Sequence, residues 1–197
     1  MFQVVGTPLS LEGLMWSGPE EPTKQLLCGY MELVKLDQGD DECLVKWICP
    51  TAPARPIALF GGHSSTAWFN LEDLSDNATD DVEGLDASAT HIVNMLSNER
   101  DDIKLGVAGF SMGAAMALYS ATCRVMGQFR NGNRYPINLS MAVALSGWLP
   151  CSRIVARGVH ASQDAGRRAT LPVLVCHGQA LDANGIKHSV LNLGRYV

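Results

Sequence analysis

KLGVAGFSMGAAMALYS, residues 104–120, decides the fold class of this chain. Lys104 to Ala108 is a short apolar run of strand character, and Met112 to Met126 is rich in strong helix formers. Between them stands Gly109-Phe110-Ser111-Met112-Gly113, a G-x-S-x-G pentapeptide. A strand that passes into a helix through so few residues turns sharply, and the residue at the bend takes a strained backbone conformation. Strand and helix crowd each other there, so the flanking positions must be small. Gly109 and Gly113 meet that need, and Ala114 and Ala115 extend it. The bend lifts the Ser111 hydroxyl above the C-terminal edge of a sheet. It also turns the backbone N–H of Met112, backed by the helix N-terminus, toward the point where an oxyanion would develop. Ser111 is therefore a candidate nucleophile and Met112 a candidate oxyanion donor. The competing reading is a plain βα turn. A dinucleotide-binding turn fails on spacing, because Gly106, Gly109 and Gly113 do not form G-x-G-x-x-G.

Working outward, strand and helix patterns alternate. Leu139 to Leu145 and Leu171 to Cys176 are short apolar strands, and Asn131-Gly132-Asn133 is a turn. Upstream, Val45 to Cys49 is a strand stopped by Pro50, and Pro50, Pro53 and Pro56 hold an extended loop. Gly61-Gly62 opens another turn. An acidic loop, Asp73 to Asp86, feeds a helix whose Leu85, Ala89, Ile92, Val93 and Leu96 share one face, with Asp80 and Asp81 as candidate caps. Apolar strands alternating with helices predict an α/β fold: a mostly parallel sheet, buried on both faces by helices. Residues 1–44 read differently. Gly6, Pro8, Gly13, Gly18, Pro19 and Pro22 break the chain repeatedly, and the apolar face of a short helix over Gln25 to Leu36 is ragged. This predicts an atypical segment over 1–44 that packs poorly against a domain over 45–197.

The bulk numbers bound the function. A chain of 197 residues, 47% hydrophobic and 18% charged, suits one domain with a real core. The net charge of −5 argues against nucleic-acid binding, which needs a basic footprint. No apolar run is long enough for a transmembrane segment. The first basic residue is Lys24, so the start lacks the basic region of a secretory signal. The sequons Asn77-Ala78-Thr79 and Asn138-Leu139-Ser140 are then read as chance. Six cysteines, at 28, 43, 49, 123, 151 and 176, form neither a C-x-x-C pair nor a zinc spacing. No metal site is expected, and the cytoplasm is the simplest compartment.

A nucleophilic serine needs a base. The histidines are His63, His91, His160, His177 and His188. His91 falls at a helix surface, His160 in a polar stretch and His177 after a strand. His63 lies in a Gly-rich loop that borders a site if the loop folds back. Only His188 follows an acid, Asp182, near the C-terminus in the order Ser–Asp–His.

From Val45 to Gly178 the chain resembles the acyl-protein thioesterase/carboxylesterase family in its plant form. The matching stretches are Trp47 to Pro53, Thr66-Ala67-Trp68-Phe69, Asp80 to Asp86, Gly109 to Ala115, Leu145-Ser146-Gly147-Trp148-Leu149-Pro150 and His177-Gly178. The resemblance implies an α/β-hydrolase fold and cleavage of acyl thioesters on proteins, such as palmitoyl-protein, or of small carboxylic esters, with no cofactor. Its partners would be an acylated protein or small ester substrate, with transient contact at a membrane surface. Ser111 would be the nucleophile and Met112 an oxyanion donor. Trp68, Phe69, Trp148 and Leu149 would line the acyl group, although core packing explains them equally well.

The ends depart from the family pattern. The His-Gly-Leu-Gly-Asp loop that supplies the second oxyanion donor has no counterpart in residues 1–44. Leu181 stands where the family has its triad Asp, and Arg195 where it has its His. On that alignment Asp182 and His188 are ordinary surface residues. The chain therefore reads as an α/β-hydrolase domain incomplete at both ends, as a splice form or a gene-model error would give. Three hypotheses follow: an active serine esterase or thioesterase; a catalytically inactive relative that acts by binding; and, weakly, a thiol redox protein. The altered ends predict little turnover from this chain.

Overall fold

The computed structural model describes residues 2–5 (backbone only), 45–73, 75, 78–152 and 171–176. The strands are β1 (Phe2–Val5), β2 (Val45–Ile48), β3 (Ala54–Pro56), β4 (Ser64–Thr66), β5 (Lys104–Phe110), β6 (Leu139–Leu145) and β7 (Val173–Cys176), and the helices α1 (Val82–Leu96) and α2 (Met112–Met126). Five strands form one sheet in the order β2-β1-β5-β6-β7, and every pairing in it is parallel. The predicted parallel sheet is thus present, with one strand more than the pattern revealed. Phe2–Val5 runs between β2 and β5, in register with both. The atypical segment expected over 1–44 otherwise falls outside the described residues, as does the expected helix over Gln25 to Leu36.

The steps from β2 to β5 and from β5 to β6 cross the sheet in the same direction. Right-handed crossovers put α1 and α2 on the same face, and the Tyr119 hydroxyl of α2 donates to Asp86 Oδ1 of α1 at 2.5 Å. Leu85, Ala89, Ile92, Val93 and Leu96 are all buried, as the helical period requires. Asp81 is the N-cap and accepts from the Gly84 N–H at 2.9 Å. Asp80, the other candidate cap, instead accepts the Cys151 N–H. Met112 to Ala121 is buried on every side, so α2 is sandwiched rather than amphipathic. The opposite face of the sheet holds a smaller cluster of Ala108 and Val143, packed with Trp47, Met141 and Leu145.

The proline-held stretch is more ordered than a loop. β3 and β4 pair antiparallel, Ala54 opposite Thr66 and Pro56 opposite Ser64. A short 3-10 turn, Ala58–Phe60, joins them through Gly61 and Gly62, at φ 64° and 83°. Ile57 is the buried anchor of this ribbon. Pro56 is tolerated because the ribbon has only two strands and its edge carries no ladder demand.

Candidate active site

Ser111 sits at the carboxyl end of β5 and is the N-cap residue of α2, with φ 53° and ψ −119°. A non-glycine residue in that region is strained, and here the strain follows from the abrupt strand-to-helix reversal. Its own N–H donates to the Leu145 carbonyl at 2.9 Å, which ties the bend to the end of β6. Its carbonyl accepts the Ala115 N–H at 3.0 Å, the first hydrogen bond of the helix. The small flanking residues are a steric necessity. A Cβ on Gly109 would fall 2.6 Å from the Ala114 backbone nitrogen and closer still to the Gly113 carbonyl. A Cβ on Gly147 would clash with the Ala114 methyl and stand 2.9 Å from the Ser111 carbonyl oxygen.

The strand order places this bend. Leaving β1, the chain moves to β2 on one side; from β5 it moves to β6 and β7 on the other. The direction of connection thus reverses between β1 and β5, and in open parallel sheets the crevice at such a switch point is where ligands bind. Ser111 follows β5 directly. As the first residue of α2, Met112 contributes one of the N–H groups that a helix leaves without an internal partner, at the positive end of its dipole.

Beside the bend lies an apolar wall. Phe69 and Trp148 meet edge to face, with ring centroids 6.0 Å apart. Trp148 follows Gly147, which is pressed against the Ser111 carbonyl, so the pair adjoins the elbow. Phe69, Trp68 and Leu149 are buried, whereas Trp148 is half-buried. Of the four, Trp68 has the strongest claim to core packing: it is 2% exposed and belongs to the main core. Its indole N–H is buried without a partner among the described residues.

The base is not visible among the described residues. His160, His177, His188 and Asp182 all lie outside them. His91 is exposed on α1, as expected, and His63 is exposed in the turn of the β3–β4 ribbon. No hydrogen bond joins either to Ser111. Among the described residues no group of three or more His, Cys, Asp or Glu is placed to hold a metal ion. Cys49, Cys123, Cys151 and Cys176 are free thiols. Burial pushes Cys123 and Cys151 up to about 12, reinforced by Asp86 beside the first and Asp80 beside the second. Such thiols stay protonated and inert, which counts against redox chemistry at these two positions.

Sequence reasoning did not find the residues that hold the wall in place. The Trp68 N–H donates to the Met112 sulfur Sδ at 3.3 Å, and Ser88 Oγ donates to the Trp68 carbonyl. The Asn70 N–H donates to Asp81 Oδ2 at 2.7 Å. Neither Ser88 nor the Met112 side chain carries a local signal for these roles. Asp81 was visible only as a cap. Ser146 and Cys151, at φ 51° and 56°, mark two further bends in the loop after β6. Of these, the Ser146-Gly147 pair was available as a turn signal.

Residues 40–184 match the Phospholipase/Carboxylesterase family. Acyl-protein thioesterase 1 homolog 1 of Dictyostelium discoideum is 27% identical over 156 residues, 76% of this chain and 61% of that protein. The chain thus spans about three fifths of that relative's length. The crystal structure of Zea mays acyl-protein thioesterase 2 superposes with a TM-score of 0.73 at 56% identity, covering 77% of this chain and 68% of the maize chain. A point variant of Arabidopsis thaliana SOBER1, at 20% identity, shares the fold, with a TM-score of 0.57 over 91% of this chain and 74% of its own. With a serine elbow at the switch point of a parallel sheet, inside the stretch that matches, this chain belongs to the phospholipase/carboxylesterase family of α/β hydrolases.

Proposed function

We propose that Ser111 is the nucleophile of a serine hydrolase that cleaves acyl thioesters of the palmitoyl-protein type or carboxylic esters. The observation that carries this reading is the backbone of Ser111, strained at φ 53° between the end of β5 and the N-terminus of α2. In the reaction, Ser111 Oγ bonds to the acyl carbonyl carbon as its proton passes to a base. The carbonyl electrons move onto oxygen, where the Met112 N–H stabilises them. Collapse expels the thiolate or alkoxide, which takes the proton, and leaves an acyl-serine ester. Water then repeats the sequence and frees the carboxylic acid. Phe69, Trp148 and Leu149, with Trp68 behind them, are the apolar lining for the acyl chain. On chain order His188, oriented by Asp182, is the base, and His63 is the substitute. The substrate is an acylated protein or small ester, met at or near a membrane surface, and no cofactor is required. The compartment is the cytoplasm, in keeping with free thiols at the four described cysteines. Among the described residues no helix is long and apolar enough to cross a membrane.

A second reading, acyl binding without efficient turnover, is favoured by one observation. Leu181 and Arg195 stand where the family pattern carries its triad Asp and His. Without a base, catalysis falls to what the oxyanion hole and binding supply, roughly 10³–10⁴-fold over water. One experiment separates the readings: the purified chain and Ser111→Ala are assayed on a short p-nitrophenyl ester and an acyl thioester. Turnover that disappears in Ser111→Ala supports the hydrolase, and His188→Ala and His63→Ala then identify the base. Turnover equal in both proteins removes Ser111 from the mechanism. No turnover, with alkyl-chain binding retained, selects the second reading.

A further inference from the structure

The segment after β4 crosses the buried side of the site without belonging to the sheet, so its backbone groups must find partners elsewhere. The Ala67 N–H donates to the Pro53 carbonyl at 3.0 Å and the Asn70 N–H to Asp81 Oδ2. Trp68, between them, is held by side chains on both of its peptide groups: Met112 Sδ takes its N–H and Ser88 Oγ donates to its carbonyl. Met112 is fully buried, so water cannot replace the sulfur as acceptor. Met112 is also the residue whose own backbone N–H faces the oxyanion in the proposed reaction. One residue therefore connects the charged end of the site to the apolar wall.

We propose that Met112 is a positioning residue that sets acyl-chain selectivity. Its thioether fixes the register of Trp68 against the elbow, and hence the placement of Phe69 on Trp148. This rests on the reading that those two rings line the acyl chain. A short acyl group touches the elbow alone, whereas a long one must also lie along the Phe69–Trp148 pair. Loss of the sulfur acceptor therefore penalises long chains selectively. Met112→Leu keeps the apolar bulk and removes the acceptor. Met112→Gln restores an acceptor oxygen at similar length. Ser88→Ala releases the same peptide from its other side and is an independent probe.

The test is direct binding of butanoate and hexadecanoate to the full chain, read by tryptophan fluorescence and calorimetry, so it does not depend on turnover. Met112→Leu and Ser88→Ala are expected to weaken hexadecanoate binding about fivefold relative to butanoate, the scale of one buried hydrogen bond, and Ser88→Ala, which lies outside the elbow, to leave butanoate unchanged. Met112→Gln is expected to recover most of the loss. Equal weakening for both lengths, no weakening, or no recovery in Met112→Gln would overturn the assignment. So would a wild-type chain that does not bind hexadecanoate. Selective binding in a chain that shows no Ser111-dependent hydrolysis would remove the catalytic reading and leave this one standing.

Discussion

Adding one methyl group at Gly109 should open the elbow. A Cβ there would stand 2.6 Å from the Ala114 nitrogen, against an ordinary contact of at least 3.4 Å, and the Gly113 carbonyl is nearer still. Those atoms are backbone, so no rotamer change relieves the clash, and β5 and the first turn of α2 must move apart. The turn that has to move is buried on all sides, from Met112 onward. Overpacking a tight core costs typically 1–3 kcal/mol, and a backbone-to-backbone clash belongs at or above the top of that range, about 3 kcal/mol. For a chain of this size that lowers Tm by roughly 6–12 °C. Gly132→Ala is the matched control: its Cβ meets nothing within 4 Å, and only its φ of +87° opposes the change. The φ penalty alone is about 1–2 kcal/mol, or roughly 2–8 °C. Both variants are compared with the parent chain by differential scanning calorimetry at one pH and scan rate. If Gly109→Ala melts no lower than Gly132→Ala, the close approach of strand and helix is not what the small residues serve. The steric account of the elbow then fails.

Four further outcomes follow from the packing around the site. Tyr119→Phe removes one of the three donors to buried Asp86 and leaves the Arg130 and Asn131 N–H groups at 3.1 and 2.8 Å. Urea unfolding should show a loss of about 1–3 kcal/mol, and an unchanged midpoint would mean that Asp86 does not need the phenol. Asp81→Ala releases both the Gly84 and the Asn70 N–H groups and should cost about 1–2 kcal/mol by the same measure; a loss near zero would refute its double role. Cys123 and Cys151 are raised to about 12 by burial, so the folded state keeps their protons after the unfolded chain has released them. Stability from this source is complete below the unfolded pKa near 9 and is lost as pH rises toward 12, so unfolding midpoints should fall steadily over that window. In the native chain at pH 8.5, iodoacetamide should modify exposed Cys176 and spare Cys123 and Cys151, and modification of either buried thiol without unfolding would contradict the burial.

What could be read from residues alone was what neighbouring residues dictate. The elbow at Ser111 is local: a strand, a sharp bend and a helix demand glycine or alanine at the positions where Gly109, Gly113, Ala114 and Ala115 stand. The same holds for α2 over Met112–Met126, for β6 over Leu139–Leu145 and for the buried face of α1, because a period of 3.6 or a short apolar run is written within a few residues. The strand at Phe2–Val5 was not legible, since four residues before a broken stretch carry too little pattern to claim a place between β2 and β5. Nor was the β3–β4 ribbon, whose prolines read as loop. Tertiary structure alone decided that Asp80 serves Cys151 rather than capping a helix, and that Asp86 joins α1 to α2. It alone put the Met112 sulfur on a peptide 44 residues earlier in the chain. The shape of the elbow is set by its own turn. The wall beside it is set by strand order and crossover direction, which bring distant segments together and then require each buried N–H to find whatever acceptor the fold has placed within reach.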